Sequence, residues 1–191
     1  MTKIAAEERI RGRTVFHGRV LDLHVDRVRL AKGRAATREV VRHPGAVAVV
    51  PITDAGDVVL VRQFRYAVGA TLLELPAGTL APGERPLVCA RRELAEETGH
   101  VARRWQRLAR FFSAPGFCDE VLHCYLAMDV RRAHAPQPEE DEAIEVVTLP
   151  LAGALDLVQR GTIRDSKSII GLLLAARQLL VAARLPHLLR L

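Results

Sequence analysis

Residues 78–100 read Gly78-Thr-Leu-Ala-Pro-Gly-Glu84-Arg-Pro-Leu-Val-Cys-Ala-Arg-Arg92-Glu93-Leu94-Ala95-Glu96-Glu97-Thr98-Gly99-His100. The first part is rich in glycine and proline, as a loop is. From Arg85 or Pro86 to Thr98 nothing breaks a helix. Proline costs little in a first helical turn, whose N–H groups have no partner anyway, and Gly99 suits a left-handed helix end. On the predicted helix Glu93 and Glu97 are four residues apart and share a face, with Glu96 beside them, while Leu87 and Leu94 fall opposite and face a core. Three carboxylates on one patch repel one another. Two readings follow: an exposed acidic face balanced by Glu–Arg pairs with Arg91 and Arg92, or a patch built around a hard divalent cation such as Mg²⁺.

Outward from this stretch the chain alternates strand signals with turns. Arg13 to Val41 is strand-rich, with Ala31-Lys32-Gly33-Arg34 as a hairpin turn. Gly45 to Ile52 is a short continuous apolar run, the pattern of a strand covered on both faces. Asp54 to Asp57 is a turn and Val58 to Val61 the next strand; Leu72 to Pro76 is another. Beyond the helix, Leu108–Phe112, Val121–Val130 and Ile144–Leu149 read as strands, and Leu151–Gln159 and Ser166–Arg184 as helices. Strands mixed with a few helices predict an α+β fold, with helices against each side of a curved mixed sheet.

Composition narrows the function. The 191 residues carry 28 Lys and Arg against 22 Asp and Glu, a formal charge of +6. The excess sits in residues 1–45 and 151–191, whereas residues 46–150 are net acidic. With aromatics at only 4%, a nucleic-acid-binding face is not expected. Three cysteines without a CxxC pair speak against a disulfide scaffold and for a reducing cytoplasm. The opening MTKIAAEERIRGRT has no apolar run, so no signal peptide is expected, and Ser168–Ala183 is too short between charges to cross a membrane.

Taken whole, residues 78–100 resemble the Nudix box, Gly-x5-Glu-x7-Arg-Glu-apolar-x-Glu-Glu-x-Gly-apolar. Gly78, Glu84, Arg92, Glu93, Leu94, Glu96, Glu97 and Gly99 stand at the family spacing; His100 replaces the usual aliphatic residue at a packing position. The resemblance implies a Nudix-type α/β/α sandwich around a mixed sheet, and cleavage of a nucleoside diphosphate linked to another group. It also implies that the Ala77 carbonyl and the carboxylates of Glu93, Glu96 and Glu97 hold Mg²⁺, with Mn²⁺ as the other candidate. Glu84, paired with Arg92, would support the site.

Further features are similar to the ADP-ribose pyrophosphatase branch: Arg62-Gln63-Phe64-Arg65-Tyr66, then Leu72-Leu73-Glu74-Leu75-Pro76-Ala77-Gly78; Pro115-Gly116 fifteen residues past His100; Arg38; and the run Glu140 to Glu145. The branch implies hydrolysis of ADP-ribose to AMP and ribose 5-phosphate. Glu142 would be the general base taking a proton from water that attacks the adenosine-side phosphorus. Arg38, Arg62, Arg65, Glu74, Pro115 and Gly116 would contact substrate. It also implies a homodimer, formed through a strand-rich region over residues 1–44, with the hydrolase domain over 45–191. Each feature alone has a plainer reading as a solvating charge or a turn; their joint spacing carries the resemblance. Action on another nucleotide sugar or an oxidised nucleotide, and a non-hydrolysing ADP-ribose sensor, remain open. Such sensors commonly lose box carboxylates, which are complete here.

Overall fold

The computed structural model describes residues 6–137 and 143–182. The chain forms two compact units, Met1–Gly45 with Phe112–Val121, and Ala46–Phe111 with Leu122–Leu191.

The larger unit is built on a seven-stranded mixed sheet. Its strands β4 (Ala46–Thr53), β5 (Asp57–Arg65), β8 (His100–Phe112), β9 (Val121–Arg132) and β10 (Ile144–Pro150) run in the order β10-β5-β4-β9-β8. Short strands β6 (Ala70–Glu74) and β7 (Ala77–Thr79) pair with β5 and β4. Strands β4 and β9 are parallel; β4–β5, β5–β6, β5–β10 and β4–β7 are antiparallel. Strand β4 is apolar at nearly every position because both faces of the central sheet are covered.

Side-chain alternation sorts the core into two clusters. Val47, Val49, Val59, Tyr125 and Ala127 pack with Cys89, Ala90 and Leu94 of helix α1 (Pro86–Thr98). Val50, Ile52, Val58, Leu60, Cys124 and Leu126 pack instead with Ala154 of α2 (Leu151–Gln159) and Leu172 and Ala175 of α3 (Ser166–Ala182). This is an α/β/α sandwich, and the fold is α+β as the sequence predicts. In β9 Asp129 takes a left-handed conformation (φ 56°), and register slips by one residue opposite Ile52 and Thr53. That bulge reverses the alternation, so Val130 faces α1 although Met128 packs on the opposite side.

The smaller unit is an antiparallel sheet in the order β1 (Glu8–His17), β2 (Asp22–Arg29), β3 (Ala35–Arg42). Buried Asp26 on β2 is paired with Arg9 at 3.0 Å and lies 3.7 Å from Arg42. A Cβ on Gly12, its register partner in β1, would overlap its carboxylate. The segment 113–120 joins this unit through hydrogen bonds between Val41 and both Phe117 and Asp119.

Several boundaries differ from the sequence reading, among them Ala77–Thr79, a strand within the stretch read as loop, and two strand starts by five residues or more. Strand β8 begins at His100, eight residues before the predicted Leu108, and β1 begins at Glu8 rather than Arg13. Both are outer strands whose mixture of arginines and apolar residues hides the alternation.

Candidate active site

The site forms where β7 meets α1. Pro86 opens the helix after an extended Arg85, and Gly99 ends it at φ 72°, donating its N–H to the Ala95 carbonyl at 2.8 Å. Strand β7 lies antiparallel to β4, with Ala77 and Gly78 opposite Ala48 and Val47. Glu97, 2% exposed, accepts the Ala77 N–H at 3.1 Å. The Glu93 carboxylate lies against Gly78, where a Cβ would overlap it. Glycine is required there by close approach of the carboxylate to the backbone, not by a turn. Two box glutamates are thus seated on the Ala77–Gly78 backbone.

Arg92 is the cation among the box carboxylates. It holds Glu84 bidentately, from Nε and Nη2, each at 3.1 Å. Its Nη1 lies 2.7 Å from Glu93 and 2.9 Å from Glu96. Glu84 also accepts the Ala81 N–H at 3.0 Å, and these bonds, Arg92 foremost, pull its carboxyl down to about 2. Glu84 therefore fixes Arg92 against the loop while Arg92 bridges to the helix face. Cys89, fully buried in α1, has its thiol pushed up to about 12, by burial first and then by Glu93. It is a packing residue. His100 directs Nδ1 to Thr98 (2.8 Å to the carbonyl), and burial lowers its pKa.

Among the described residues no three His, Cys, Asp or Glu side chains are spaced to hold a metal ion. The Glu–Arg pairs of the plainer sequence reading are present. The donors nonetheless fit a hard divalent cation, because they are carboxylate oxygens set against the Ala77–Gly78 backbone, with Gly78 leaving room for Glu93 to approach. Rotation of Arg92 away from Glu93 and Glu96 is the change this fit needs.

The other sequence candidates separate. Arg62 and Arg65 are three apart on β5 and so project from opposite faces. Arg62 pairs with Glu145, its register partner on β10, at 2.6 Å. Arg65 pairs with Glu74, which is 1% exposed, through Nε (3.1 and 3.2 Å) and Nη2 (2.7 Å). Burial alone would raise the Glu74 pKa; Arg65 and Lys167 together lower it. Lys167, on α3, reaches Glu74 at 2.5 Å and Asp165 at 2.9 Å. Sequence reading missed Lys167 and Asp165. The available signal was Asp165-Ser166-Lys167-Ser168 ahead of an apolar helix, a capping pattern in which Asp165 accepts the Ser168 N–H at 3.2 Å.

In the smaller unit, Arg38 donates to Glu7 from Nε (3.0 Å) and Nη2 (2.6 Å). Arg38, Pro115 and Gly116 line one cavity of ≈ 400 Å³ together with Glu39, Phe112 and Phe117. Glu142 lies outside the described residues.

An acidic helix seated on a short glycine-bearing strand, inside an α/β/α sandwich, defines the class. The NUDIX domain model matches residues 42–169, and the chain belongs to the NUDIX family. Among curated relatives it is 41% identical to an ADP-ribose pyrophosphatase of Bacillus subtilis, over 87% of this chain and 90% of that one. It is 42% identical to the ADP-ribose pyrophosphatase of Mycobacterium tuberculosis (87% and 81%) and 36% identical to the GDP-mannose pyrophosphatase of Escherichia coli K12 (69% and 77%). A crystal structure of an ADP compounds hydrolase superposes with a TM-score of 0.83 at 23% identity, over 97% of this chain and all of the other, and shows the same fold.

Proposed function

We propose that the chain hydrolyses the diphosphate bond of ADP-ribose, giving AMP and ribose 5-phosphate, with Mg²⁺ or Mn²⁺ as cofactor. The observation that carries this reading is the seating of Glu93 and Glu97 on the Ala77–Gly78 backbone, in a chain 41–42% identical to two ADP-ribose pyrophosphatases. Glu93, Glu96, Glu97 and the Ala77 carbonyl would hold the cation, and Glu84, bonded to Arg92 Nε and Nη2, would anchor Arg92 to the loop once its Nη1 has left Glu93 and Glu96. A divalent ion bound there supplies neutralisation of the diphosphate charge and acidification of water.

The remaining work falls to side chains. Arg65 uses Nε and Nη2 on Glu74 and, among the described residues, has Nη1 left for a phosphate oxygen. Arg62 and Glu74 flank this contact in sequence, and Glu74 holds the guanidinium. Arg38, Pro115 and Gly116 are assigned to ribose or phosphate contacts. Glu142 takes the proton from water attacking the adenosine-side phosphorus. A second reading, another nucleoside diphosphate sugar as substrate, is favoured by the GDP-mannose pyrophosphatase relative.

One product assay decides between them. ADP-ribose, ADP-glucose, GDP-mannose and nucleoside triphosphates are incubated with and without Mg²⁺. AMP formed from ADP-ribose at the highest kcat/KM, and only with metal, is expected; preference for GDP-mannose replaces the reading with the second. Glu142→Gln is expected to lose kcat by at least about 10²-fold with KM within a few-fold; retained activity moves the base to Glu96 or Glu97.

Assembly and location belong to the same proposal. Every residue of β1 is exposed, including Ile10, Val15 and Phe16, which suits residues 1–44 as a homodimer-forming region beside a 45–191 hydrolase domain. Among the described residues no helix is long and apolar enough to cross a membrane, and Cys89, Cys118 and Cys124 are free thiols. A cytoplasmic enzyme is inferred.

A further inference from the structure

The start of α3 grips the segment that leads into the site. Ser168, fully buried, accepts the Leu75 N–H at 2.7 Å, and Lys167 binds Glu74 at 2.5 Å, so residues 74 and 75 are both fixed from the helix. The charges alternate: Asp165, Lys167, Glu74, Arg65. Three of the four are largely withdrawn from water, with Asp165 and Lys167 each 14% exposed and Glu74 1%; Arg65, at 37%, is the end that reaches solvent. Asp165 Oδ2 serves Lys167 and the Ser168 N–H, whereas its buried Oδ1 has no hydrogen-bond donor among the described residues.

We propose that Lys167 is a positioning residue for Arg65: by neutralising Asp165 as well as Glu74, it keeps the guanidinium seated on Glu74 with Nη1 free for the anionic substrate. This rests on the reading of Arg65 as a diphosphate contact. Without the ammonium, two buried carboxylates share one guanidinium. Arg65 feels Glu74 foremost, then the charges of Glu97 and Asp165; of these, Asp165 carries a buried Oδ1 with no donor among the described residues, a strong acceptor for any nearby N–H. Arg65 is then drawn toward Asp165, and the nitrogen it loses to that contact is the one available to substrate. Arg65 itself stays charged; its direction changes. Lys167 touches no substrate and acts only through its partners.

The test is a double-variant kinetic cycle on the full chain with Mg²⁺ and ADP-ribose, comparing Lys167→Met, Lys167→Arg, Arg65→Gln and the Lys167→Met/Arg65→Gln pair. Lys167→Met is expected to raise KM about tenfold with kcat within about threefold, and Lys167→Arg to restore KM to within about twofold. The pair is expected to show the KM of Arg65→Gln alone, because a lysine that works through Arg65 has nothing left to position. Effects that multiply in the pair, or an unchanged KM in Lys167→Met, overturn the inference. Lys167→Gln, which keeps an N–H donor and loses only the charge, is measured beside it. If circular dichroism shows that neither neutral variant folds, the lysine is structural and the inference falls. Unchanged KM in Arg65→Gln removes Arg65 from the substrate contacts and overturns the inference while ADP-ribose hydrolysis stands. A wild-type chain inactive on ADP-ribose overturns the functional reading instead; the same cycle is then read on whichever nucleotide sugar it cleaves, and activity on none overturns both.

Discussion

At the scale of single residues, the box works through unequal carboxylates. Glu84 is locked by two bonds to Arg92 and one to Ala81, Glu97 is sealed against Ala77, and Glu96 is the most open. Glu84 has a folded pKa of about 2 against an ordinary value of 4.5. A depressed carboxyl stabilises the fold above its unfolded pKa and loses that contribution as pH falls toward the folded one. Glu84→Gln is therefore expected to lower Tm at pH 7, and the gap to wild type should close between about pH 4.5 and pH 2. A gap that persists unchanged at pH 2–3 in thermal melts would mean that packing, not charge, sets the value of Glu84. The Glu84–Arg92 pair was legible through the resemblance to the family box, whose spacing holds both positions within one loop and helix. The Lys167–Glu74 pair was not: its partners are 93 positions apart, and no local pattern connects them.

At the scale of elements, the two glycines Gly33 and Gly99 separate two costs. Gly33 has φ 81° and open space where a Cβ would stand, so only its left-handed backbone matters. Gly99 has φ 72°, and a Cβ there would also overlap the backbone carbonyl of His134. Gly33→Ala is expected to cost about 1–2 kcal/mol, the left-handed penalty alone. Gly99→Ala is expected to cost more, because backbone cannot swing aside as a side-chain tip can; urea titration of both variants checks the order. Strands β4 and β5 were readable because their apolar runs match their burial, and helix α1 because Pro86 and Gly99 mark its ends; burial of Glu97 and Thr98 in α1, with Val88 exposed, is not what its apolar pattern describes. The first eight residues of β8 were not. They lie on an end strand, where arginines at 103, 104 and 107 are tolerated on a surface that the pattern of a covered strand does not describe. The β9 bulge was hidden for a different reason: nothing in Met128-Asp129-Val130 marks the one-residue slip that turns Val130 toward α1.

At the scale of the whole molecule, the formal charge of +6 and the exposed apolar residues of β1 point in different directions. Like-charged copies repel at long range, a force that ordinary salt screens within about 8 Å. Contact between apolar strands is short-ranged and survives salt. Sedimentation at micromolar concentration is expected to show a dimer that tightens as salt is raised, and Phe16→Lys is expected to shift it toward monomer. A wild-type monomer at every salt concentration would remove the dimer-forming role from residues 1–44.

The parallel pairing of β4 with β9 has a consequence for how the chain comes into being. Strand β4 is complete by Thr53, yet its neighbour on that side begins only at Val121, and the partner of β5 on the far edge begins only at Ile144. During synthesis a strongly apolar ribbon, open along one edge, must therefore wait while most of the remaining polypeptide emerges from the ribosome. Such late, distant closure makes refolding slow and leaves the nascent ribbon open to capture by other chains.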